Sequence, residues 1–241
     1  MIEVKNVSRI FSLGEQEVVA LRDISARIES GELTCVVGPS GAGKSTLMHL
    51  IGCLDRPTSG EILFDGQAVT ALDDDALSVL RRDRIGFVFQ FFNLMPTLTA
   101  EENIALPRLI AGRELEEVRN KVDGLLEVVG MTKRRHHKPD QLSGGELQRI
   151  AIARAMINDP LIILADEPTG NLDTANGDVV ISLLREISAR GTSSVVVATH
   201  NAALTKVADS TLALLDGKLE SWTRRDGTRI LENRTLETQG A

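Results

Sequence analysis

Eight residues constrain this chain more than any others. Gly38-Pro39-Ser40-Gly41-Ala42-Gly43-Lys44-Ser45 spell G-x-x-x-x-G-K-S, the spacing of a loop that wraps a phosphate. Both flanks suit it. Leu33-Thr34-Cys35-Val36-Val37 is a short apolar, β-branched run, which predicts a buried strand. Ser45 to Ile51 contains no helix breaker and predicts a helix. Glycine has no Cβ to keep a phosphate away from backbone N–H groups, and the helix N-terminus adds positive potential and free donors. The expected phosphate-binding set is Gly38, Ser40, Gly41, Ala42, Gly43, Lys44, Ser45 and Thr46. Lys44 is placed against the β- and γ-phosphates and the Ser45 hydroxyl on Mg²⁺. The chain is therefore expected to bind a nucleoside triphosphate.

Composition narrows what it does with one. The formal net charge is -7, so the surface as a whole repels nucleic acid and acidic lipid. Met1 to Lys5 lack the apolar stretch of a signal peptide, and no run approaches the ~20 apolar residues that span a bilayer. Any membrane role is expected to come through a partner chain. Cys35 and Cys53 fit no metal spacing and read as small buried apolar residues.

Along the chain, residues 2 to 30 alternate apolar and polar positions, which predicts an antiparallel sheet with one wet face. Asp65-Gly66 and Asp216-Gly217 read as hairpin turns. Asp73-Asp74-Asp75 reads as the start of a short helix. From Thr99 to Arg154 the pattern is mostly helical. Leu115, Val118, Val122, Leu125, Leu126 and Val129 recur at helical spacing and Gly130 follows as a C-cap, so an α-helical subdomain is expected within an α/β core. Lys133 to Lys138 form a basic stretch without aromatic neighbours, read as a solvated loop rather than a nucleic-acid patch. Leu161 to Ala165 and Ser194 to Ala198 are buried-strand runs, with a helix expected over 177–190. Beyond Arg224 the polar tail is expected to be loosely held.

Asp166-Glu167 closes the run 161–165. Ligands of parallel sheets sit outside the carboxyl ends of strands, so Asp166 is placed on Mg²⁺ and Glu167 on the water that attacks the γ-phosphate. Ser143-x-x-Glu146 is a capping box. Yet Gly144 and Gly145 in the first turn are costly for a helix, and they expose N–H groups at a second anion site. One triphosphate cannot easily use both turns if they lie in different lobes. A neighbouring copy's triphosphate can, which predicts a head-to-tail pair. Taken alone, His200 is a strand-end histidine and Asp173 a helix cap.

The order of these motifs, with Gln90, Leu142-Ser143-Gly144-Gly145-Glu146, Asn171-Leu172-Asp173 and His200, resembles the ATP-binding cassette transporter ATPases over about residues 2 to 222. The resemblance implies an α/β fold: a P-loop NTPase core with an N-terminal antiparallel β subdomain and an inserted α-helical subdomain at about 91–154. The cassette then spans 1–223 and a polar tail 224–241. It implies ATP and Mg²⁺ as ligands. Gln90 joins Ser45 and Asp166 at the metal and takes part in catalysis with Glu167 and His200, which contacts the γ-phosphate. Ser143, Gly144 and Gly145 bind nucleotide in trans, and Asp173 lies at the dimer seam. Family members usually stack a tyrosine on adenine. This chain has none, and Phe11 is the expected substitute. Leu147 stands where many members carry glutamine.

Residues 51–60 and 89–99 look like the branch of lipoprotein-releasing, macrolide-exporting and cell-division ATPases. That branch implies a homodimer on the cytoplasmic face of the membrane, driving a separate permease with a large extracytoplasmic domain, and a periplasmic adaptor reached through it. Phe91, Phe92, Leu94 and Met95 are expected to help line the permease groove. A regulatory or scaffolding ATPase of a cell-division-type complex is the alternative, and a cytosolic cassette acting on nucleic acid is a further one that the acidic balance disfavours.

Overall fold

The computed structural model describes residues 1–14 and 16–232. In chain order the strands and α-helices are β1 (Ile2–Leu13), β2 (Gln16–Ile28), β3 (Leu33–Val37), α1 (Lys44–Ile51), β4 (Ser59–Phe64), β5 (Gln67–Ala68), α2 (Asp74–Arg84), β6 (Ile85–Val88), α3 (Ala100–Ile110), α4 (Leu115–Val128), α5 (Gly144–Met156), β7 (Ile162–Asp166), α6 (Thr174–Ala189), β8 (Ser194–Ala198), α7 (Ala202–Val207), β9 (Ser210–Leu215), β10 (Lys218–Arg224) and β11 (Arg229–Glu232). They make two sheets. One has the order β2-β1-β4-β5 and is antiparallel. The other has the order β11-β10-β9-β3-β8-β7-β6, parallel from β9 to β6. This is the α/β architecture expected from the sequence.

The parallel strands read as unbroken apolar runs because both their faces are covered. Cys35, Ile163, Ala165, Val195 and Val197 point into one core, shared with Ile104, Leu126, Ile150 and Leu184 of the helices. Val36, Ile162, Leu164, Val196 and Ala198 point into another, shared with α1 and the antiparallel sheet. Alternation of side chains across a strand divides the residues between the two cores. Cys35 and Cys53 are buried in this packing, and burial pushes their thiols up to about 12 and about 11.

Turn chemistry acts where the sequence placed it. Asp65-Gly66 and Asp216-Gly217 have positive φ at both residues (47° and 83°; 47° and 73°), the type I′ geometry of a two-residue hairpin. Asp73 caps α2 through the Ala76 N–H. Helix α6 starts at Thr174, earlier than its apolar pattern indicates, because Asp173 caps it.

Two expectations need correction. Residues 224–232 do not hang free: β11 pairs antiparallel with β10, with Ser221 opposite Glu232. The remainder of the expected tail, 233–241, lies outside the described residues. The basic stretch 133–138 is not simply solvated, since Arg135 pairs with Glu101 and Asp123, Arg134 with Glu146 and His136 with Glu101. It ties α3, α4 and α5 together. The apolar residues after Gln90 divide between core and surface. Leu94 packs into the helical core, while Phe91 and Met95 are exposed. A separate groove of about 570 Å³ is lined by Leu54, Val79, Phe87, Phe89, Leu106 and Ile110, among others. Among the described residues no helix is long and apolar enough to cross a membrane.

Candidate functional site

The sheet order decides what meets. β3, β8, β7 and β6 are adjacent and parallel. Their carboxyl ends carry, in turn, Gly38, Thr199-His200, Asp166-Glu167 and Gln90. Four separate stretches of sequence thus arrive along one edge, outside the carboxyl ends of parallel strands, where such sheets bind ligands.

The loop after β3 is built to leave room. Gly38 has φ 151°, and a Cβ there would sit 2.3 Å from the Leu214 carbonyl oxygen. Gly43 has φ 100°, and its Cβ would meet the Ala20 carbonyl and Leu21 at 2.7 Å. Gly41, at φ 81°, faces open space. The first two glycines are required by neighbouring backbone and by a dihedral that L side chains avoid. The N-cap of α1 is Gly43, with no side chain capping it, so its first N–H groups remain available to an anion. Lys44 Nζ donates to the Gly38 and Pro39 carbonyls at 2.8 and 3.0 Å, which holds the ammonium at the loop. Ser40 and Ser45 are exposed, Thr46 half-buried and Ala42 buried.

Opposite, Glu167 adopts φ 45°, an unusual conformation for a long side chain and of the kind that concentrates at functional sites. Its N–H donates to the Ala198 carbonyl at 2.9 Å. Its Oε1 lies 2.9 Å from His200 Nδ1, and Thr199 Oγ1 donates to Oε2 at 3.4 Å. Asp166 is half-buried at the end of β7. The donors Ser45, Gln90 and Asp166 are all oxygens and include one carboxylate. That chemistry fits Mg²⁺, which takes one or two carboxylates and leaves positions for water and phosphate. The open cradle at Gly41 fits a phosphate chain.

The second turn is constructed differently. Ser143 is the N-cap of α5 in a reciprocal box: its N–H and hydroxyl donate to Glu146 Oε2 at 2.8 and 2.9 Å, and the Glu146 N–H returns to Ser143 Oγ at 3.4 Å. The Ser143 backbone donor, with help from Arg134, pulls the Glu146 carboxyl down to about 2. Gly145 is buried, and a Cβ there would lie 2.2 Å from Asn176 Oδ1. Asn176 in turn bonds Asp173, whose Oδ1 accepts from the Asn176 N–H at 3.0 Å. Those backbone and side-chain donors hold Asp173 below the usual carboxylate range. Among the described residues no hydrogen bond joins Ser143–Gly145 to residues 38–45.

Phe11, on β1, is half-buried, with the Arg9 guanidinium 4.4 Å from its ring centroid and Arg9 itself bonded to Asp55 at 2.8 Å. Sequence reasoning quoted Asn171 only as part of Asn171-Leu172-Asp173 and gave it no role; it exchanges two hydrogen bonds with Gln90. The same reasoning passed over Asn103, fully buried, which bonds the backbone of Met95, Leu98 and Thr99. Arg154, which holds the Phe92 and Asn93 carbonyls, was likewise unmarked. Asn103 belongs to no chemical motif, and only its burial in an apolar helix sets it apart.

Residues 21–170 match the family model described as ABC transporter. An uncharacterized ABC transporter ATP-binding protein of Thermotoga maritima is 48% identical over 225 residues, covering 93% of this chain and 96% of that one. A macrolide export ATP-binding/permease protein of Hyphomonas neptunium is 47% identical over 92% of this chain, which spans 34% of that longer protein. The dimeric structure of a post-hydrolysis state of the ATP-binding cassette MJ0796, bound to ADP and Pi, superposes with a TM-score of 0.86 at 42% identity. It covers 95% of this chain and all of that one.

Proposed function

This chain belongs to the ABC transporter family, and from that premise we propose how its residues carry out ATP binding and hydrolysis and what the hydrolysis drives. The observation that carries the reading is the convergence of the Gly38–Ser45 loop, Glu167, His200 and Gln90 on adjacent carboxyl ends of one parallel sheet. The loop's N–H groups, with Ser40, Gly41, Ala42, Gly43 and Thr46, wrap the β- and γ-phosphates, and Lys44 exchanges its carbonyl partners for phosphate oxygens. Ser45, Asp166 and Gln90 hold Mg²⁺. The metal supplies positive charge against the phosphate oxygens. Glu167 accepts the proton of the attacking water, and such a base contributes about 10²–10⁴-fold. His200 supports the Glu167 carboxylate and reaches the γ-phosphate. Phe11 stacks on adenine.

Two copies associate head to tail, so that Ser143, Gly144 and Gly145 of one cap the triphosphate held by the loop of the other, with Asp173 at the seam. The dimeric relative supports that arrangement. The fused permease of the macrolide-exporting relatives supports a membrane permease as the partner here. On this reading the chain works on the cytoplasmic face, its permease carries a large extracytoplasmic domain with an adaptor beyond it, and nucleic acid is not a partner. The groove containing Leu54, Val79 and Ile110, all three exposed apolar residues, is the surface offered to that permease.

The test is Glu167→Gln with ATP and Mg²⁺, followed by light scattering and phosphate release. Turnover should fall at least about 100-fold and a dimer should accumulate, which Ser143→Ala should prevent. Turnover equal to that of the unaltered chain would remove the assigned base. A persistent monomer would remove the shared site.

A further inference from the structure

Gln90 is aimed by a neighbour that belongs to a different stretch of the chain. Its Nε2 donates to Asn171 Oδ1 at 3.3 Å, and Asn171 Nδ2 donates back to the Gln90 carbonyl at 3.0 Å. These two bonds form a clasp between the end of β6 and the turn that follows Glu167. The turn is itself tight: the Gly170 N–H donates to the Glu167 carbonyl at 3.0 Å and the Leu172 N–H to Thr169 at 3.2 Å. At Gly170 a Cβ would sit 3.0 Å from Gln90 Nε2, so a larger residue there would crowd the amide.

Downstream of Gln90 the chain is fastened elsewhere. Arg154 holds the Phe92 and Asn93 carbonyls, and Asn103 holds Met95, Leu98 and Thr99. At the Arg154 anchorage Phe92 and Asn93 both have positive φ, 61° and 50°, which for the bulky phenylalanine is a strained conformation. Gln90 therefore stands at a junction. Its backbone continues into the helical insertion, while its side chain is held by the segment that carries Glu167 and leads to Asp173.

We propose that Asn171 is a positioning residue: its amide holds Gln90 in register with Glu167, so that the metal-side oxygen and the base move as one unit. The inference rests on the reading of Gln90 as a residue of the nucleotide site. The clasp also extends towards the second turn, because the same segment runs through Asp173 to Asn176, whose side chain sits against Gly145. A displacement of α5 thus has a short mechanical route to Gln90.

The test is a mutant cycle on the full chain with Asn171→Ala, Gln90→Ala and the double variant, beside Gly170→Ala. Hydrogen exchange of the segment 88–93, measured without nucleotide, should rise in Asn171→Ala while melting stays unchanged. The kcat for ATP should fall about 5–10-fold, in proportion to two modest hydrogen bonds, with KM for ATP nearly constant and more Mg²⁺ needed for half-maximal rate. The double variant should be no slower than Gln90→Ala alone. Gly170→Ala should slow turnover without loosening the segment. Additive losses in the cycle, or unchanged exchange at 88–93 in Asn171→Ala, would overturn the positioning role. Full activity in Gln90→Ala would instead sink the reading of Gln90, and the exchange result would still report on the clasp.

Discussion

The two glycine-bearing turns of this molecule both open a helix, and they are built on opposite principles. At Gly38–Ser45 two glycines, Gly38 and Gly43, are forced by their own dihedrals and by backbone oxygens at 2.3 and 2.7 Å, and no side chain caps the helix. At Ser143–Gly145 the helix is closed by its own serine and glutamate, and Gly145 is glycine because the Asn176 side chain occupies the space. The first turn leaves its donors free and its cradle open. The second meets one of its own donors and lies in a network with α6. A turn of the first kind can bind an anion by itself. The second is better suited to completing a site whose main contacts lie on another copy.

The most damaging substitution that this contrast predicts is Gly43→Ala. It combines a dihedral costing about 1–3 kcal/mol with overpacking of about 1–3 kcal/mol, against a backbone oxygen that has no room to withdraw. Fluorescent-nucleotide titration should show binding lost at least 100-fold, with melting lowered as well. Binding that stays within a few-fold would show that the loop does not need glycine there.

Gly145→Ala should be milder and, unlike Gly43→Ala, partly reparable. The obstacle is a side chain, so the cost is about 1–3 kcal/mol. Adding Asn176→Ala removes the atoms at 2.2 and 2.5 Å but leaves Cβ at 2.9 Å. Thermal melting should recover part of the loss and no more. Nucleotide binding by the single chain should survive in both variants. If it falls as far as in Gly43→Ala, the two turns serve the same site in the same copy and the contrast fails.

How much of this was legible beforehand depends on distance along the chain. The loop, the hairpin turns and the Ser143–Glu146 capping box are local, because they follow from dihedrals and short-range hydrogen bonds. The strand runs were legible because burial on both faces leaves few polar positions, Thr34 and Ser194 among them. The convergence of Gly38, Glu167, His200 and Gln90 is non-local and came only from motif order. The Asn171 clasp and the Arg135 bridge to Glu101 and Asp123 were invisible. Exposed amides and arginines are common, and nothing in their spacing shows which of them face each other. The tail was misjudged for a related reason: β11 is held by pairing with β10 rather than by an apolar pattern of its own.

Phe11 gives a smaller effect and sharpens the first turn's side of the contrast. Base stacking on an aromatic ring is worth about 1–3 kcal/mol, but Arg9 already covers one face of this ring at 4.4 Å. Phe11→Ala should therefore weaken ATP binding by about 5–10-fold, the low end of that range, and leave kcat nearly unchanged. ATP, GTP and inorganic triphosphate titrated in parallel locate the effect. Loss confined to the two nucleotides assigns the ring to the base, whereas equal loss for triphosphate places its role in supporting the loop.

The smallest effect probes the second turn through its proton. The Glu146 carboxyl is held at about 2 by the Ser143 donors and Arg134, below its ordinary value of 4.5. Because the folded value is the lower one, the box contributes its full stability above about pH 4.5 and loses it as pH falls from there towards 2. A cap of this kind is worth about 1 kcal/mol, so melting should drop by about 2–4 °C more across that window than in Glu146→Gln. The glutamine keeps an acceptor but has no charge to lose, and its profile should be flatter by that amount. The P-loop helix has no acidic residue in its first turn, so nucleotide binding should show no matching step from this source. Identical acid profiles for the two proteins would mean that Ser143 does not depend on the Glu146 charge, and the self-capping that separates the second turn from the first would have to be abandoned.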